Sequence, residues 1–272
     1  MTARTSASFR RLSAALGWTR ASFVLLGGTL AVLLLTVALW WPLVVEYFST
    51  YDASRSIFLQ LDWLLLAVFG AMFLLIMADA KLERDALVIL VGTMGGLVIE
   101  SWGTQTQLWT YYTQQRPPLW IIPAWPVASL AIDRLFRFLR RLTERMPERP
   151  FRVAYWLILP LFYALMLAYV WPTLDKSLTQ LALIAVGLLI VSPVEERATV
   201  LTFLSGAGLG YFLELWGTTR ACWTYYALET PPLFAVLAHG MAAVAFWRVG
   251  RYLVRVSRRL TVRAPKLSLL RE

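Results

Sequence analysis

Apolar residues run along this chain in stretches longer than one helix face needs. Eight of them, at roughly 21–44, 57–79, 86–104, 118–136, 153–173, 177–193, 198–216 and 232–249, are built mainly from Leu, Val, Ala, Phe, Ile and Trp. A helix that crosses a hydrocarbon core of about 30 Å takes about 20 such residues. The polar positions gather between the stretches. The pattern predicts an all-α fold, a polytopic membrane helix bundle with eight transmembrane helices, of which 177–193 is the shortest.

Charge orients that bundle. With the N-terminus inside, Arg4, Arg10, Arg11, Arg20, Lys81, Arg84 and Arg197 fall on the cytoplasmic side. So do the seven arginines from Arg134 to Arg152 and the eight Lys and Arg residues from Arg248 to Arg271. Of the 26 basic residues only Arg55, Arg116, Lys176 and Arg220 fall outside, which is the asymmetry of the positive-inside rule. The expectation is therefore N-in/C-in, in a cell inner or plasma membrane. Composition agrees: 59% hydrophobic and 15% charged residues exclude an ordinary soluble domain. The net charge of +10 sits at helix ends, where anionic lipid headgroups are the natural partner, and it does not imply nucleic acid. Residues 1–20 are rich in Ser, Thr and Arg and weakly amphipathic. The run after Arg20 is too long for a signal peptide, so it reads as an uncleaved first helix, with Trp40, Trp41 and Pro42 at the outer interface and a loop over 45–56.

One block occurs twice. Glu100, Trp102, Gly103, Thr104, Trp109, Thr110, Tyr111, Tyr112, Pro117, Pro118 and Leu119 return 114 residues later, without a gap, as Glu214, Trp216, Gly217, Thr218, Trp223, Thr224, Tyr225, Tyr226, Pro231, Pro232 and Leu233. Beyond the block the match thins to Gly92/Gly206, Gly96/Gly210, Arg134/Arg248, Arg137/Arg251 and Arg141/Arg255. An internal duplication is implied. The offset covers four stretches, an even number, so the two repeats share one orientation and are related by an axis along the membrane normal. The expected organisation is a first four-helix repeat at 1–141, a charged linker at 142–152 and a second four-helix repeat with a basic tail at 153–272. After Pro-Pro-Leu the copies diverge: Trp120, Pro123, Trp125 and Pro126 face Phe234, Leu237, His239 and Gly240. Pro123 and Pro126 predict a kink or break in the fourth helix.

The chemistry that the residues could carry is narrow. One His, one Cys and no cluster of ligands at metal spacing leave no zinc, haem or iron–sulfur site and imply no cofactor. Neither a phosphate loop nor a Ser/His/Asp set is present, and Cys222 has no second cysteine to pair with. Asp62, near the outer start of the second helix, is close enough to the interface to reach water. What remains is a carboxyl group among aromatic rings at membrane depth, twice. Glu100 lies roughly 20 Å along its helix from Asp85, and Glu214 occupies the equivalent depth. An ionisable residue there is costly and marks a function. A neutral carboxylic acid in a dry pocket can protonate a carbon–carbon double bond, and indole or phenol faces stabilise the cation that forms. The candidate acids are Glu100 and Glu214. Trp102, Trp109, Tyr111, Tyr112, Trp216, Trp223, Tyr225, Tyr226 and His239 are the candidate substrate-binding wall, His239 also being a candidate proton carrier. The same rings would equally serve as an interfacial aromatic belt, with each Glu pinning a helix contact.

A Glu in a glycine-bearing helix, Trp-x-Tyr in a short loop and a Pro-rich start to the next helix resemble the membrane proteins of carotenoid biosynthesis, the carotenoid hydratase and small lycopene-cyclase-type families. Pro193-Val194-Glu195-Glu196 has the form of the Pro-x-Glu-Glu element of those cyclases. The resemblance implies an isoprenoid-modifying enzyme, a cyclase or hydratase, that takes an apolar lipid or isoprenoid ligand, with Glu195 and Glu196 as further candidate acids. It covers only the repeated blocks and 193–196, and the topology puts Glu195 and Glu196 at the cytoplasmic end, away from Glu100 and Glu214. Two other classes stay open: a proton-coupled transporter, for which paired membrane carboxylates would serve, and a non-catalytic subunit that binds a partner membrane chain.

Overall fold

The computed structural model describes residue 13 and residues 16–263, the last four as backbone alone. Arg4, Arg10 and Arg11, most of the amphipathic N-terminal segment and the basic tail after Arg263 lie outside the described residues. The chain order is α1 (Arg20–Leu39), α2 (Trp41–Ser49), α3 (Ile57–Gln60), α4 (Trp63–Met77), α5 (Leu82–Gln105), β1 (Trp109–Tyr111), α6 (Ala124–Leu142), α7 (Glu148–Val170), a 3-10 turn (Trp171–Thr173), α8 (Ser177–Val191), α9 (Glu196–Thr219), β2 (Trp223–Tyr225) and α10 (Leu233–Arg263). The molecule is mostly helical, and each apolar stretch carries a helix. Five helices are long and apolar enough to cross a membrane: α1, α5, α7 continued to Thr173, α9, and α10 as far as Arg259. The apolar helices α4 and α8 have 15 residues each, a rise of about 22 Å.

Local chemistry moves three boundaries from their expected places. The first run stops at Leu39, and a separate helix, α2, takes in its end and residues 45–49 of the expected loop, with Pro42 in its opening turn, where the missing N–H costs nothing. The second run is divided at Leu61–Asp62: Asp62 is the N-cap of α4, and its carboxylate accepts from the backbone N–H of Leu65 at 3.1 Å. The third change corrects the expected kink. Residues 119–123 form turns, Pro123 precedes α6, and Pro126 sits in its first turn, so the proline pair delays the helix rather than bending it.

Large apolar side chains point outward all round. Leu34, Leu59, Val98, Leu157 and Leu181 are each more than half exposed, an outer surface suited to lipid and not to water. With the five long helices, this makes the chain a membrane protein. Inside, one buried cluster joins α7, α9 and α10 through Tyr155, Leu159, Phe162, Met166, Phe203 and Val244. A second joins α4 to α6 through Val68, Met72, Ile76, Leu130 and Ala131. The two buried partners at the start of α5 and in α6 are ionic: Arg134 forks onto Asp85, Nη2 to Oδ2 at 2.6 Å and Nη1 to Oδ1 at 3.0 Å. The segment between α6 and α7 is tied down by Arg197, which donates to the carbonyls of Thr143 and Glu144 and pairs with Glu148 at 3.1 Å.

Candidate functional site

The two aromatic loops meet. β1 and β2 pair antiparallel, with Trp109 opposite Tyr225, Thr110 opposite Thr224 and Tyr111 opposite Trp223. Two flanking bonds extend the ribbon, Tyr112 N–H to the Cys222 carbonyl at 3.2 Å and Tyr226 N–H to the Leu108 carbonyl at 3.1 Å. Successive residues of a strand face opposite sides, so Trp109 and Tyr111 leave the ribbon together, as do Trp223 and Tyr225. All four rings are buried. Trp109 packs on Tyr225 and Tyr111 on Trp223, with centroids 5.8 and 5.7 Å apart. A two-stranded ribbon is marginal on its own; here its side chains are anchored on the carboxylates beneath.

Glu100, in the last turns of α5, is 4% exposed and accepts three hydrogen bonds: from Trp109 Nε1 on Oε2 at 3.1 Å, and from Tyr111 Oη and Trp125 Nε1 on Oε1 at 3.0 and 3.1 Å. Glu214, in α9, is 3% exposed and repeats the arrangement with one change. Trp223 Nε1 donates to Oε2 at 2.9 Å, Tyr225 Oη donates to Oε1 at 2.8 Å, and the third partner is His239 Nε2, 2.9 Å from Oε1. Among the described residues no Lys or Arg pairs with either carboxyl group. Burial, with the adjacent carboxylate next, holds the Tyr111 and Tyr225 phenols well above their ordinary pKa, so both rings keep their protons.

The ring positions depend on close approach to glycine. A Cβ on Gly103 would lie 1.9 Å from the Trp109 ring, and one on Gly217 would lie 2.0 Å from the Trp223 ring. Trp125 and His239 lie against Gly96 and Gly210 in the same way. The two third partners also touch each other, their rings stacked with centroids 5.7 Å apart and planes at 18°. A continuous path therefore runs from Glu100 through Trp125 and His239 to Glu214.

Both carboxyl groups open on one cavity of about 1200 Å³, whose wall also includes Trp102, Trp109, Tyr111, Trp216, Trp223 and Tyr225. Trp102 hydrogen-bonds Thr179 at 3.2 Å and Trp216 hydrogen-bonds Asp62 at 2.8 Å; each then meets its own repeat's buried Trp edge-on. Tyr112 and Tyr226 are placed elsewhere. Both are nearly half exposed and lie outside this wall, and Tyr226 donates to the Tyr169 carbonyl at 2.6 Å. Glu195 and Glu196 pair with Arg251 and Arg152 at the other end of α9. Eighteen residues separate Glu196 from Glu214, about 27 Å along the helix. Trp125, a full member of the Glu100 cage, was visible in the sequence only as the residue 114 positions before His239. Cys222 lies beside the ribbon, where burial and, less, the nearby Asp62 push its thiol up to about 11. Among the described residues no group of three or more His, Cys, Asp or Glu is arranged to hold a metal ion. No family model, curated protein or solved structure matches the chain.

Proposed function

We propose that the chain is an integral membrane enzyme that starts its reaction by protonating a double bond of an isoprenoid or polyene lipid, the product being a ring or an alcohol. The observation that carries this reading is the buried Glu214, paired with the partly buried His239, opening on an aromatic-walled apolar cavity. A carboxyl group and an imidazole 2.9 Å apart can share one proton and exchange it. Trp125, at the equivalent place beside Glu100, has an indole N–H that only donates. Glu214 is thus the acid, His239 is the group that returns its proton, and Glu100 is the acceptor that holds Trp125 against the imidazole ring. Trp223, Tyr225, Trp109 and Tyr111 line the same cavity, and the faces of such rings stabilise a carbocation. In cyclisation the proton adds to one carbon, a neighbouring double bond closes on the cation and a proton leaves. In hydration, water captures the cation instead.

The same proposal carries the wider architecture: eight spans, two parallel four-helix repeats, both termini in the cytoplasm of a cell with the chain in its inner membrane. Its supports are the positive-inside asymmetry and the coincidence, at an offset of 114, of the bounds of α4 with α8, α5 with α9 and β1 with β2. The resemblance to carotenoid hydratases and small lycopene cyclases points to the same class of substrate.

The test is an absorption spectrum and mass spectrometry of the organic extract from the full chain purified in mild detergent, beside Glu214→Gln and His239→Asn. A stoichiometric polyene or isoprenoid that changes identity or occupancy in the two variants supports the enzyme. Ordinary phospholipid alone in all three refutes the isoprenoid reading and directs attention to proton-linked flux.

A further inference from the structure

A second cavity, of about 760 Å³, opens at the opposite end of the bundle from the ribbon, between α5, α6 and α10. Trp125, His239 and Phe246 line its depth, and Arg84, Arg251, Arg255, Arg258 and Arg259 surround its mouth with one carboxylate, Asp133. Asp133 is already held by Arg134 and Arg137 at 2.7 and 3.0 Å. Arg84 is bound to Asp85, and Arg251 to Glu195. Arg255 and Arg259 are exposed, and neither has a carboxylate in ion-pair range among the described residues. Between that mouth and His239 the wall is apolar, with Leu87, Val88, Ala128, Ile132, Phe136 and Ala243.

We propose that this cavity binds a membrane amphiphile with a phosphate head and an apolar chain. The head sits on Arg255 and Arg259, whose planar guanidinium groups fit phosphate oxygens in pairs. The chain runs inward along the apolar wall of α5, α6 and α10 towards His239. Dimensions agree: Arg255 and His239 are sixteen residues apart on α10, about 24 Å, against the roughly 20–22 Å from the bilayer midplane to the outer edge of the headgroups. Arginines serving only to orient the helices need no cavity between them. Two sources share this chemistry, a phospholipid of the surrounding membrane and a prenyl phosphate. The inference is independent of the acid chemistry, because binding is read without turnover.

The full chain, stripped of lipid in non-ionic detergent, is mixed with geranylgeranyl phosphate, phosphatidylglycerol, geranylgeraniol or inorganic phosphate, and retention is read by native mass spectrometry. One or both phosphate-headed chains bind one to one, the alcohol binds at least about tenfold more weakly, and inorganic phosphate is not retained. The preferred phosphate identifies the source. At about 1 kcal/mol per arginine near a charged headgroup, Arg255→Gln with Arg259→Gln weakens binding on the order of 10–30-fold and flattens its salt dependence. Glu214→Gln retains the head-group preference, so a failure of the acid chemistry leaves this result standing. Equal binding of alcohol and phosphate, no retention of either phosphate, or unchanged binding in the double arginine variant overturns the proposal.

Discussion

Replacing each buried glutamate by glutamine separates the two sites by hydrogen-bond counting. An amide offers one oxygen and one NH2 where the carboxylate offers two oxygens. In Glu100→Gln, an oxygen at the Oε1 position accepts from Trp125 and Tyr111, but the NH2 then faces the Trp109 N–H. Turned over, the oxygen accepts from Trp109 and Tyr111 can take a bond from the NH2, but Trp125 N–H now meets a donor. Either way one buried indole N–H is orphaned, at a cost of about 1–3 kcal/mol. In Glu214→Gln the oxygen accepts from Trp223, and the NH2 donates to Tyr225 Oη and to His239 Nε2. The imidazole need only carry its proton on Nδ1. Only the rotatable Tyr225 hydroxyl proton loses its acceptor, and no indole N–H is orphaned, so Glu214→Gln costs less stability than Glu100→Gln. The assay is the apparent thermal midpoint in one detergent at one pH. Glu100→Gln is expected to fall by on the order of 2–10 °C below wild type, Glu214→Gln to fall by less, and Trp125→His added to Glu100→Gln to recover part of the loss. Equal shifts, or a larger one for Glu214→Gln, would refute the assignment of a donor-only cage to one copy and a switchable one to the other.

Three further outcomes follow from the geometry. Gly217→Ala places a Cβ 2.0 Å from a Trp223 ring already bonded to Glu214, and thermal unfolding should show a loss of about 1–3 kcal/mol; Gly208→Ala, with nothing within 4 Å, should show none. Arg134→Ala leaves the buried Asp85 carboxylate without its forked partner, a loss of about 3–5 kcal/mol, while Arg134→Leu with Asp85→Leu should recover most of it in the same assay. Cys222, with its thiol pushed up to about 11, is ionised in roughly one molecule per thousand at pH 8; maleimide labelling should be slow there and quicken about tenfold per pH unit up to pH 10, whereas a rate levelling off near pH 8.5 contradicts the burial.

The apolar runs and the repeated block made the helices and the two glutamates legible, because length, hydropathy and a fixed offset are properties of the sequence alone. The pairing of the two Trp-Thr-Tyr segments was not. Three residues with no long alternating pattern carry no strand signal, and their ribbon forms because the rings anchor on Glu100 and Glu214. Trp125 was hidden for another reason: it stands opposite His239 in a segment where the copies differ, and identity between copies cannot mark a role conserved by position and changed in chemistry. Pro123 and Pro126 predict a kink because the apolar run begins before them, whereas the helix begins at Ala124. Tyr112 and Tyr226 belong to the repeated block, yet strand alternation turns them away from Tyr111 and Tyr225.

Solvent deuterium most directly tests protonation of a carbon–carbon bond by the Glu214–His239 pair. The full chain in lipid nanodiscs is given an acyclic polyene, lycopene as the probe, in deuterium oxide, and the recovered pigment is analysed by mass spectrometry and NMR. The expected result is a cyclised or hydrated product with deuterium on the protonated carbon, formed by wild type and absent with Glu214→Gln. Unchanged lycopene with wild type, or a product without carbon-bound deuterium, would contradict the account.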